Sequence, residues 1–492
     1  MKRTKHSLSH YKLTTFDFGK LVPVSCVDVL PGDSLRMSTS ALLRVTPLLT
    51  PVMHPCRVRI HHWFVPYRIL WDGWEDFITG GPDGMNNTVP PNADIIAAEG
   101  GFWDHIGIPP TTDPININTF PIKAYAKIWN EFYRDQDLQP EIPLDIPIPQ
   151  TLQNIAWEKD YFTAARPWTQ KGPEITVPLG TTAPVVGRSG GGVNNVPYLF
   201  EDGQGQGRYF SGRVSGSDAT FSPNIVSDAA VMHWGASQTG LEADLRNATS
   251  ANINELRLAF ALQRYEEARA QYGSRYTEYL RYLGVRSSDA RLQRPEYLGG
   301  GKTTINFSEV LRTGAESAAT GENSIGEMFG HGIAATRSNR FIKFFEEHGV
   351  VLTLASIRPK SIYADGVAKQ HTKKTKEDYW QKELEAIGQQ AILNKEVYAN
   401  STNRDATFGY ADRYAEYKST PSGISAEFRN VLDDWHLARL FSSEPALNST
   451  FVKCEPTKRV FAEQTKNSVW AMFQHSIQAR RLVGNTTVGK IM

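Results

Sequence analysis

The stretch RVRIHHWFVPY, residues 57–67, is the clearest indication of how this chain folds. Its side chains alternate between two faces, and that period of two is typical of a β-strand in a sheet. One face carries Val58, Ile60, His62 and Phe64. The other carries Arg57, Arg59, His61 and Trp63. The stretch therefore predicts a strand with one mostly apolar face directed into a core.

Other strands are predicted on both sides of this one. LVPVSCVDV (21–29) ends at a Pro-Gly-Asp turn, and a second strand-like run follows at 35–45. GVVLTLASI (349–357) is apolar without alternation, which predicts a strand buried on both faces. Residues 449–482 predict two more strands. Strands at both ends of the chain favour one β-sandwich in which the first and last strands pair.

Helices are predicted in three places between these strands. Residues 121–134 have apolar side chains at helical spacing, and Asn118 or Thr119 can cap the start. Residues 252–283 and 376–393 show weaker helical patterns. We interpret these segments as additions to a sandwich rather than as a separate helical fold.

The chain is predicted to form one domain with long insertions. Residues 1–19 predict a basic N-terminal arm, and residues 20–492 the domain. Within that domain, 171–240 holds 13 of the 39 glycines and one lysine, which favours a protruding surface loop with little core. Residues 252–283 form a helical insertion.

Composition restricts the possible functions. Of the 492 residues 40% are hydrophobic and 21% charged, as in globular proteins. The net charge of +1 argues against a dedicated nucleic-acid-binding domain, so any DNA contact must be local. The three cysteines are far apart in sequence and favour buried, reduced thiols. We expect no membrane span and no signal peptide, because no apolar run is long enough.

Three short motifs suggest chemistry that their surroundings do not support. LGGGKTT (298–304) resembles a phosphate-binding loop, but Glu296 stands where the first glycine is needed, so a tight glycine turn is the better interpretation. GRSGG (187–191) lacks the helix that follows a nucleophilic serine. His61 and His62 point to opposite faces of a strand and cannot share a metal ion. We therefore expect no catalytic residue, no metal site and no cofactor.

Residues 257–294 are rich in arginine and tyrosine and contain no lysine. Both residue types bury large areas at protein interfaces, and they can also bind nucleic acid through stacking and phosphate contacts. The glutamates at 255, 266, 267 and 278 favour contact between subunits over a polyanion.

Nine stretches, in order and over most of the chain, resemble the major capsid protein of the Microviridae, in its gokushovirus-like branch. They are FDFGKLVPV (16–24), LPGDS (30–34), HHWFVPYRILWDGWEDFITGG (61–81), YFTAARPWTQKGP (161–173), SSDARLQRPEYLGGG (287–301), EHGVVLTLASIRP (347–359), LNKEVY (393–398), FGYADRYAEYK (408–418) and DDWHLARLFSSEPALNSTF (433–451). No one of these stretches is a chemical motif, but together they are specific.

The resemblance implies a mainly β protein, an eight-stranded jelly roll with long loop and helical insertions. It implies sixty copies, assembled through pentamers in the host cytoplasm, in a T=1 icosahedral shell around a circular single-stranded DNA genome. It also implies a protrusion at the threefold axes that can serve host attachment. The implied partners are a small basic DNA-packaging protein, an internal scaffolding protein and a host surface receptor.

Residues are assigned to these roles from their charge and aromatic character. The candidates for DNA contact are Lys2, Arg3, Lys5, Lys12, Arg480, Arg481 and Lys490. The candidates for subunit interfaces are Trp63, Tyr67, Trp71, Trp74, Arg257, Arg264, Tyr265, Tyr276 and Arg281. The candidates for the protrusion are Val185, Val186, Tyr198, Phe200, Tyr209 and Phe210. For Trp63, filling the core of its own subunit is a serious alternative.

Two alternatives from other classes stay open at this point. A β-sandwich that binds carbohydrate, or an enzyme on that scaffold, would need polar groups converging in one pocket. A phage spike or attachment protein would share the sandwich without forming a shell.

Overall fold

The computed structural model describes residues 3–82, 85–145, 148–173, 175, 253–272, 275–311, 313, 328–385 and 387–484, and six short strands between 185 and 243. The strands are β1 (Thr4–Ser7), β2 (His10–Phe16), β3 (Leu21–Val29), β4 (Ser34–Val45), β5 (Cys56–Pro66), β6 (Asn92–Ile95), β7 (Ile115–Asn118), β8 (Val185–Gly187), β9 (Phe200–Glu201), β10 (Gly207–Arg208), β11 (Ser211–Ser215), β12 (Asp218–Ser222), β13 (Leu241–Ala243), β14 (Glu296–Thr304), β15 (Asn306–Leu311), β16 (Met328–Arg337), β17 (Phe341–Phe344), β18 (Gly349–Pro359), β19 (Gln389–Leu393), β20 (Thr407–Asp412) and β21 (Val469–Arg481). The helices are α1 (Trp74–Thr79), α2 (Phe102–Ile106), α3 (Phe120–Phe132), α4 (Ile253–Tyr272), α5 (Tyr276–Tyr282), α6 (Asn394–Val397) and α7 (Ser449–Val452).

The chain divides into two compact units, residues 1–171 with 267–492 and residues 172–266. The larger unit contains two main antiparallel sheets. In the first, β1 and β2 pair with one edge of β21, β4 pairs with the other, and β16 and β17 pair with β4, followed by β15. In the second, the order is β14-β5-β18-β3. We call them the seven-stranded and the four-stranded sheet.

The strand order is that of an eight-stranded jelly roll. With β1 and β2 counted as the first strand and β15 to β17 as the sixth, the seven-stranded sheet reads 1-8-3-6. The four-stranded sheet reads 5-4-7-2. Two Greek keys folded onto each other give this order, so the predicted fold and the pairing of first and last strands are confirmed.

The inner faces of the two sheets form the main core. Side chains from both sheets meet there, among them Val24, Leu43, Ile60, Ile357 and Phe473. Each buried side chain of this size contributes about 2 kcal/mol to stability. The predicted inward face of β5 is buried as expected.

Part of the outer face of the four-stranded sheet is buried as well, because helices α2 and α3 cover it. The Asn118 side chain accepts a hydrogen bond from the backbone N–H of Phe120 at the start of α3, as predicted for this helix. Tyr125 of α3 donates a hydrogen bond to the Leu21 carbonyl at 2.8 Å. Because α3 covers the sheet, β18 is buried on both faces, which confirms the prediction for 349–357.

Three local predictions were wrong. Residues 376–393 hold a single helical turn, Lys376–Asp378, and then the strand β19, with Gly388 at a φ of 61° between them. Residues 449–482 form the short helix α7 and one strand, β21, rather than two strands. The segment 298–304 continues the strand β14 rather than making a tight turn.

The smaller unit, 172–266, is described only in part. Its strands pair as β8 with β13, β9 with β10 and β11 with β12. The residues of α4 before 267 also belong to it. The predicted helices at 252–283 are confirmed as α4 and α5. Among the described residues, no helix is both long and apolar enough to cross a membrane.

Candidate functional surfaces

The outer face of the seven-stranded sheet is basic and aromatic and contains no carboxylate. Alternation along the strands determines which side chains point outward, and strand pairing places them side by side. The outward residues of β1, β2, β4, β16, β17 and β21 that are exposed or half-buried include Lys5, Ser7, Tyr11, Leu13, Thr15, Arg36, Ser40, Leu42, Arg44, Ile333, Ala335, Arg337, Ile342, Phe344, Trp470, Met472, Gln474, Ser476, Gln478 and Arg480. We call this surface the acid-free face.

Large apolar side chains are unusually exposed on the acid-free face. Leu13 is 79% exposed, Tyr11 67% and Trp470 49%. Trp470 lies between Thr15 on one neighbouring strand and Arg44 on the other. Aromatic rings beside arginines, without nearby acids in the same strands, suit a polyanion with flat groups, such as single-stranded nucleic acid.

A hollow of about 1000 Å³ lies at one end of the acid-free face. Trp470, Met472 and Arg44 contribute to its lining, and the carboxylates Glu99 and Asp104 lie at the same hollow. The acids therefore mark the limit of the acid-free face on this side.

The N-terminal candidates for DNA contact lie in different environments. Arg3 donates a hydrogen bond to the Gly32 carbonyl at 3.0 Å, and Lys5 is exposed on the acid-free face. Lys12 points to the opposite side of β2, where burial lowers the pKa of its ammonium group to about 8. Lys2 lies outside the described residues. Of this set, Lys5 is best placed to meet a polyanion.

The C-terminal candidates for DNA contact also lie in different environments. Arg480 is exposed on the acid-free face, opposite Lys5 in the strand pairing. Arg481 turns inward and forms an ion pair with the fully buried Asp33 at 3.0 Å. Lys490 lies outside the described residues.

The aromatic interface candidates near β5 pack largely within their own subunit. Trp63 is 4% exposed and its ring centroid lies 4.1 Å from that of Phe132, which favours the core interpretation for this residue. Tyr67, Trp71 and Trp74 are half-buried around Phe120. These three keep surface that a neighbouring subunit could cover.

The arginine and tyrosine candidates on the helices are exposed. Arg257, Arg264 and Tyr265 lie on α4 within the smaller unit, and Tyr276 and Arg281 lie on α5 in the larger one. Their role at subunit contacts stays a prediction.

The protrusion candidates fall in the partly described unit. Val185 and Val186 lie in β8, which pairs with β13, and Phe200 lies in β9, which pairs with β10. Tyr198, Tyr209 and Phe210 lie outside the described residues.

A polar cluster interrupts the apolar core between the two sheets. His62 is hydrogen-bonded through Nδ1 to the Thr353 hydroxyl at 2.9 Å and through Nε2 to the Ser338 hydroxyl at 3.0 Å. The Ser338 hydroxyl also accepts the backbone N–H of Thr39 at 2.8 Å. His475 Nδ1 is bonded to the Thr39 hydroxyl. The cluster joins both sheets through neutral hydrogen bonds.

The two adjacent histidines have different surroundings, as predicted for neighbours on a strand. His62 lies in the polar cluster, whereas His61 Nδ1 lies 2.6 Å from the Tyr133 hydroxyl on the opposite face. Burial lowers the pKa of each imidazole to about 4. Both rings are therefore neutral at pH 7. Within the described part of the chain, no group of three or more His, Cys, Asp or Glu side chains could hold a metal ion.

Sequence reasoning missed the acid-free face and the polar cluster. The acid-free face is assembled from β1, β2, β4, β16, β17 and β21, which are hundreds of residues apart in sequence. The one available signal was the lack of acids at alternate positions of each strand, and it becomes specific only once the strands are paired.

Comparison with known proteins gives consistent relatives over the whole chain. The profile of a family described as capsid protein (F protein) matches residues 1–489. Capsid protein VP1 of Bdellovibrio phage phiMH2K is 35% identical over 472 residues, which cover 92% of this chain and 88% of the relative. Capsid protein VP1 of Chlamydia phage 1 is 30% identical, with 94% of this chain and 91% of the relative covered. Capsid protein VP1 of Spiroplasma virus 4 is 30% identical, with 92% and 87% covered.

Proposed function

This chain belongs to the phage capsid protein (F protein) family, and from that premise we propose that sixty copies assemble through pentamers into a T=1 icosahedral shell around a circular single-stranded DNA genome. That it is a structural major capsid protein of a Microviridae virion follows from the family. The family is structural and not an enzyme class.

The acid-free face is the observation that supports DNA as the enclosed partner. Its cations are Lys5, Arg36, Arg44, Arg337 and Arg480, and no Asp or Glu points outward from the strands that carry them. Phosphate contacts by lysine and arginine bind DNA without sequence preference, and exposed rings can stack on unpaired bases. We propose that this face is directed to the interior and meets the genome.

The small net charge of the chain supports a role for a second, basic protein in the particle. With a net charge of +1 per copy, the shell has little charge with which to neutralise a genome. We propose that a small basic packaging protein supplies most of the positive charge and that an internal scaffolding protein takes part during assembly.

The smaller unit, which includes residues 172–240 of the glycine-rich segment, is proposed as the protrusion. It has little apolar surface to bury alone, so copies that meet at a threefold axis would supply the missing contacts. A host surface receptor is the proposed partner of this protrusion.

Electron microscopy of the expressed chain, alone and with its packaging partner, tests the shell. Closed particles of sixty copies are expected, whereas a stable monomer would contradict the proposal.

The DNA-facing surface is tested by combining Arg44→Gln with Arg337→Gln. For this double variant we expect closed shells that protect less DNA from nuclease. Arg291→Gln with Arg404→Gln is the matched control, because both arginines are exposed outside the acid-free face. Equal DNA protection in the two double variants would contradict the role of the acid-free face.

A further inference from the structure

A cleft of about 1530 Å³ lies in the larger unit, on the side of the sandwich opposite the acid-free face. Its floor is the outer face of β5 and β18, and its walls are the end of α3 and the segment 270–292. Nine basic and six acidic side chains line it. The cleft is therefore electropositive, in a chain whose overall charge is close to zero.

The floor of the cleft contains a largely buried cation, Arg358. Arg358 of β18 donates a hydrogen bond to the Ala156 carbonyl at 2.9 Å. Among the described residues, no carboxylate oxygen lies within 4.0 Å of its guanidinium group. Burial, followed by the neighbouring Arg59, lowers the pKa of Arg358, whereas Glu158 raises it. Glu158 also forms ion pairs with Arg57, Arg59 and Lys360, so one carboxylate is shared among four cations. An anion placed here would relieve the cost of burying this charge.

One wall of the cleft holds two guanidinium groups with unused donors. The Nε atoms of Arg134 and Arg275 are buried, and neither has a hydrogen-bond partner within the described part of the chain. Arg134 is 6% exposed. Buried donors are normally satisfied, so these two guanidinium groups leave uncompensated positive charge in the wall of the cleft.

Two more arginines in the lining, Arg281 and Arg286, are exposed and carry no carboxylate partner among the residues that the structure describes. Two of the acids in the lining are already engaged: Asp289 with Arg294 of the same lining at 2.5 Å, and Glu296 with a lysine outside the cleft. The pairing of Asp289 with Arg294 is neutral within the lining, so Arg281 and Arg286 are part of the excess positive charge of the cleft.

We propose that this cleft binds a compact polyphosphate anion, either as a free molecule or as the head group of a lipid. Several planar guanidinium groups suit adjacent phosphates, because each can donate two parallel hydrogen bonds to phosphate oxygens. The aromatic side chains of Trp63, Phe132 and Tyr297 in the lining exclude water and strengthen these ion pairs. This site is separate from the proposed contact between the acid-free face and DNA.

Inorganic triphosphate is the probe for the test, measured by equilibrium dialysis against nuclease-treated particles of the full chain. We expect saturable binding that weakens with added salt, and roughly tenfold or greater loss of affinity when Arg281→Ala is combined with Arg286→Ala. Arg291→Ala is the matched control, because this exposed arginine lies on the same segment but outside the cleft lining. Vesicles of phosphatidylcholine with and without phosphatidic acid form a second arm, which separates a lipid head group from a free anion.

The proposal is overturned if the particles bind neither triphosphate nor phosphatidic acid vesicles, or if the Arg291→Ala control loses as much affinity as the double variant. Electron microscopy of each variant keeps the two proposals apart. Failure of the unaltered chain to form shells contradicts the assembly proposal, whereas intact shells of the unaltered chain without binding contradict only the cleft. The affinity of the Arg281→Ala, Arg286→Ala variant is compared on shells that micrographs show to be intact.

Discussion

His475 Nδ1 lies 2.9 Å from the Thr39 hydroxyl, and both residues are fully buried between the two sheets. The pKa of His475 is lowered to about 3, first by burial and then by the neighbouring His10, whose ring centroid lies 4.7 Å away. In the same cluster, the pKa of His62 is lowered to about 4, first by burial and then by His61. The folded state therefore prefers both imidazoles neutral.

This preference predicts acid sensitivity. Below pH 6.5 the imidazole of His62 is protonated in the unfolded chain but stays neutral in the folded protein. The contribution of this histidine to the free energy of unfolding is therefore fully present above pH 6.5 and is lost as the pH falls toward 4. We expect each of the two histidines to lower the free energy of unfolding by about 2 kcal/mol at pH 5 relative to pH 7.5. Urea unfolding at several pH values measures this loss. His62→Gln should reduce the pH dependence. Equal pH dependence in the wild type and in His62→Gln would contradict the prediction.

Arg439 is predicted to be a major anchor of the loop region around 363–451. Its guanidinium carbon lies 4.1 Å from the centroid of the Phe451 ring, and its Nη2 donates to the Phe451 carbonyl at 2.7 Å. A lysine cannot combine a planar stack with this hydrogen bond, so Arg439→Lys should lower the free energy of unfolding by about 2 kcal/mol. Thermal unfolding of Arg439→Lys is compared with that of Arg404→Lys, a control at an exposed arginine. Equal melting temperatures of the two variants would contradict the prediction.

The sequence predicted those strands and helices whose pattern of apolar and polar residues is regular over a short segment. The alternation in β5, the continuous apolar run in β18 and the capped start of α3 each follow from packing on one or two faces, and all three were predicted. The error at 376–393 has a physical reason. The pairing of β19 with β20 depends on residues 407–412, which no local window contains. Among the candidate residues, charge alone could not separate Arg480 from Arg481, because strand alternation directs them to opposite sides.

The exposed rings of the acid-free face are expected to bind unpaired bases. Tyr11→Ala combined with Trp470→Ala should weaken binding of single-stranded DNA by about 1–3 kcal/mol per ring lost, with little effect on shell closure. Trp380→Ala is the control, since this tryptophan is 50% exposed and lies elsewhere in the chain. Fluorescence anisotropy with a labelled oligonucleotide measures the difference, and an unchanged affinity would exclude stacking on this face.

Deletion of about residues 180–235 tests the protrusion. We expect the shells to close, because the jelly-roll strands lie outside the deletion, and we expect the particles to lose adsorption to host cells. Electron microscopy and an adsorption assay give the two answers. Normal adsorption would contradict receptor binding by this unit, and absent shells would contradict its accessory role.

The glycines of β14 are predicted to be required by close backbone packing. A Cβ atom on Gly300 would lie 2.3 Å from the Ile60 carbonyl oxygen on the paired strand. Gly300→Ala should therefore destabilise the protein by about 2 kcal/mol. Gly484→Ala is the control, because its Cβ would meet no atom within 4 Å. If both variants melt at the wild-type temperature, β14 tolerates a side chain at this position.

The position of β21 in the seven-stranded sheet has a consequence for synthesis on the ribosome. β21 lies between β2 and β4, yet it follows every other described strand in sequence. Until residues 469–481 are synthesised, β2 and β4 each have a strand edge without its hydrogen-bonding partner. A chain cut short by premature termination or proteolysis before β21 lacks the centre of this sheet, so it should be cleared by quality control rather than be incorporated beside complete copies. Completion of the seven-stranded sheet therefore depends on the last strand of the chain.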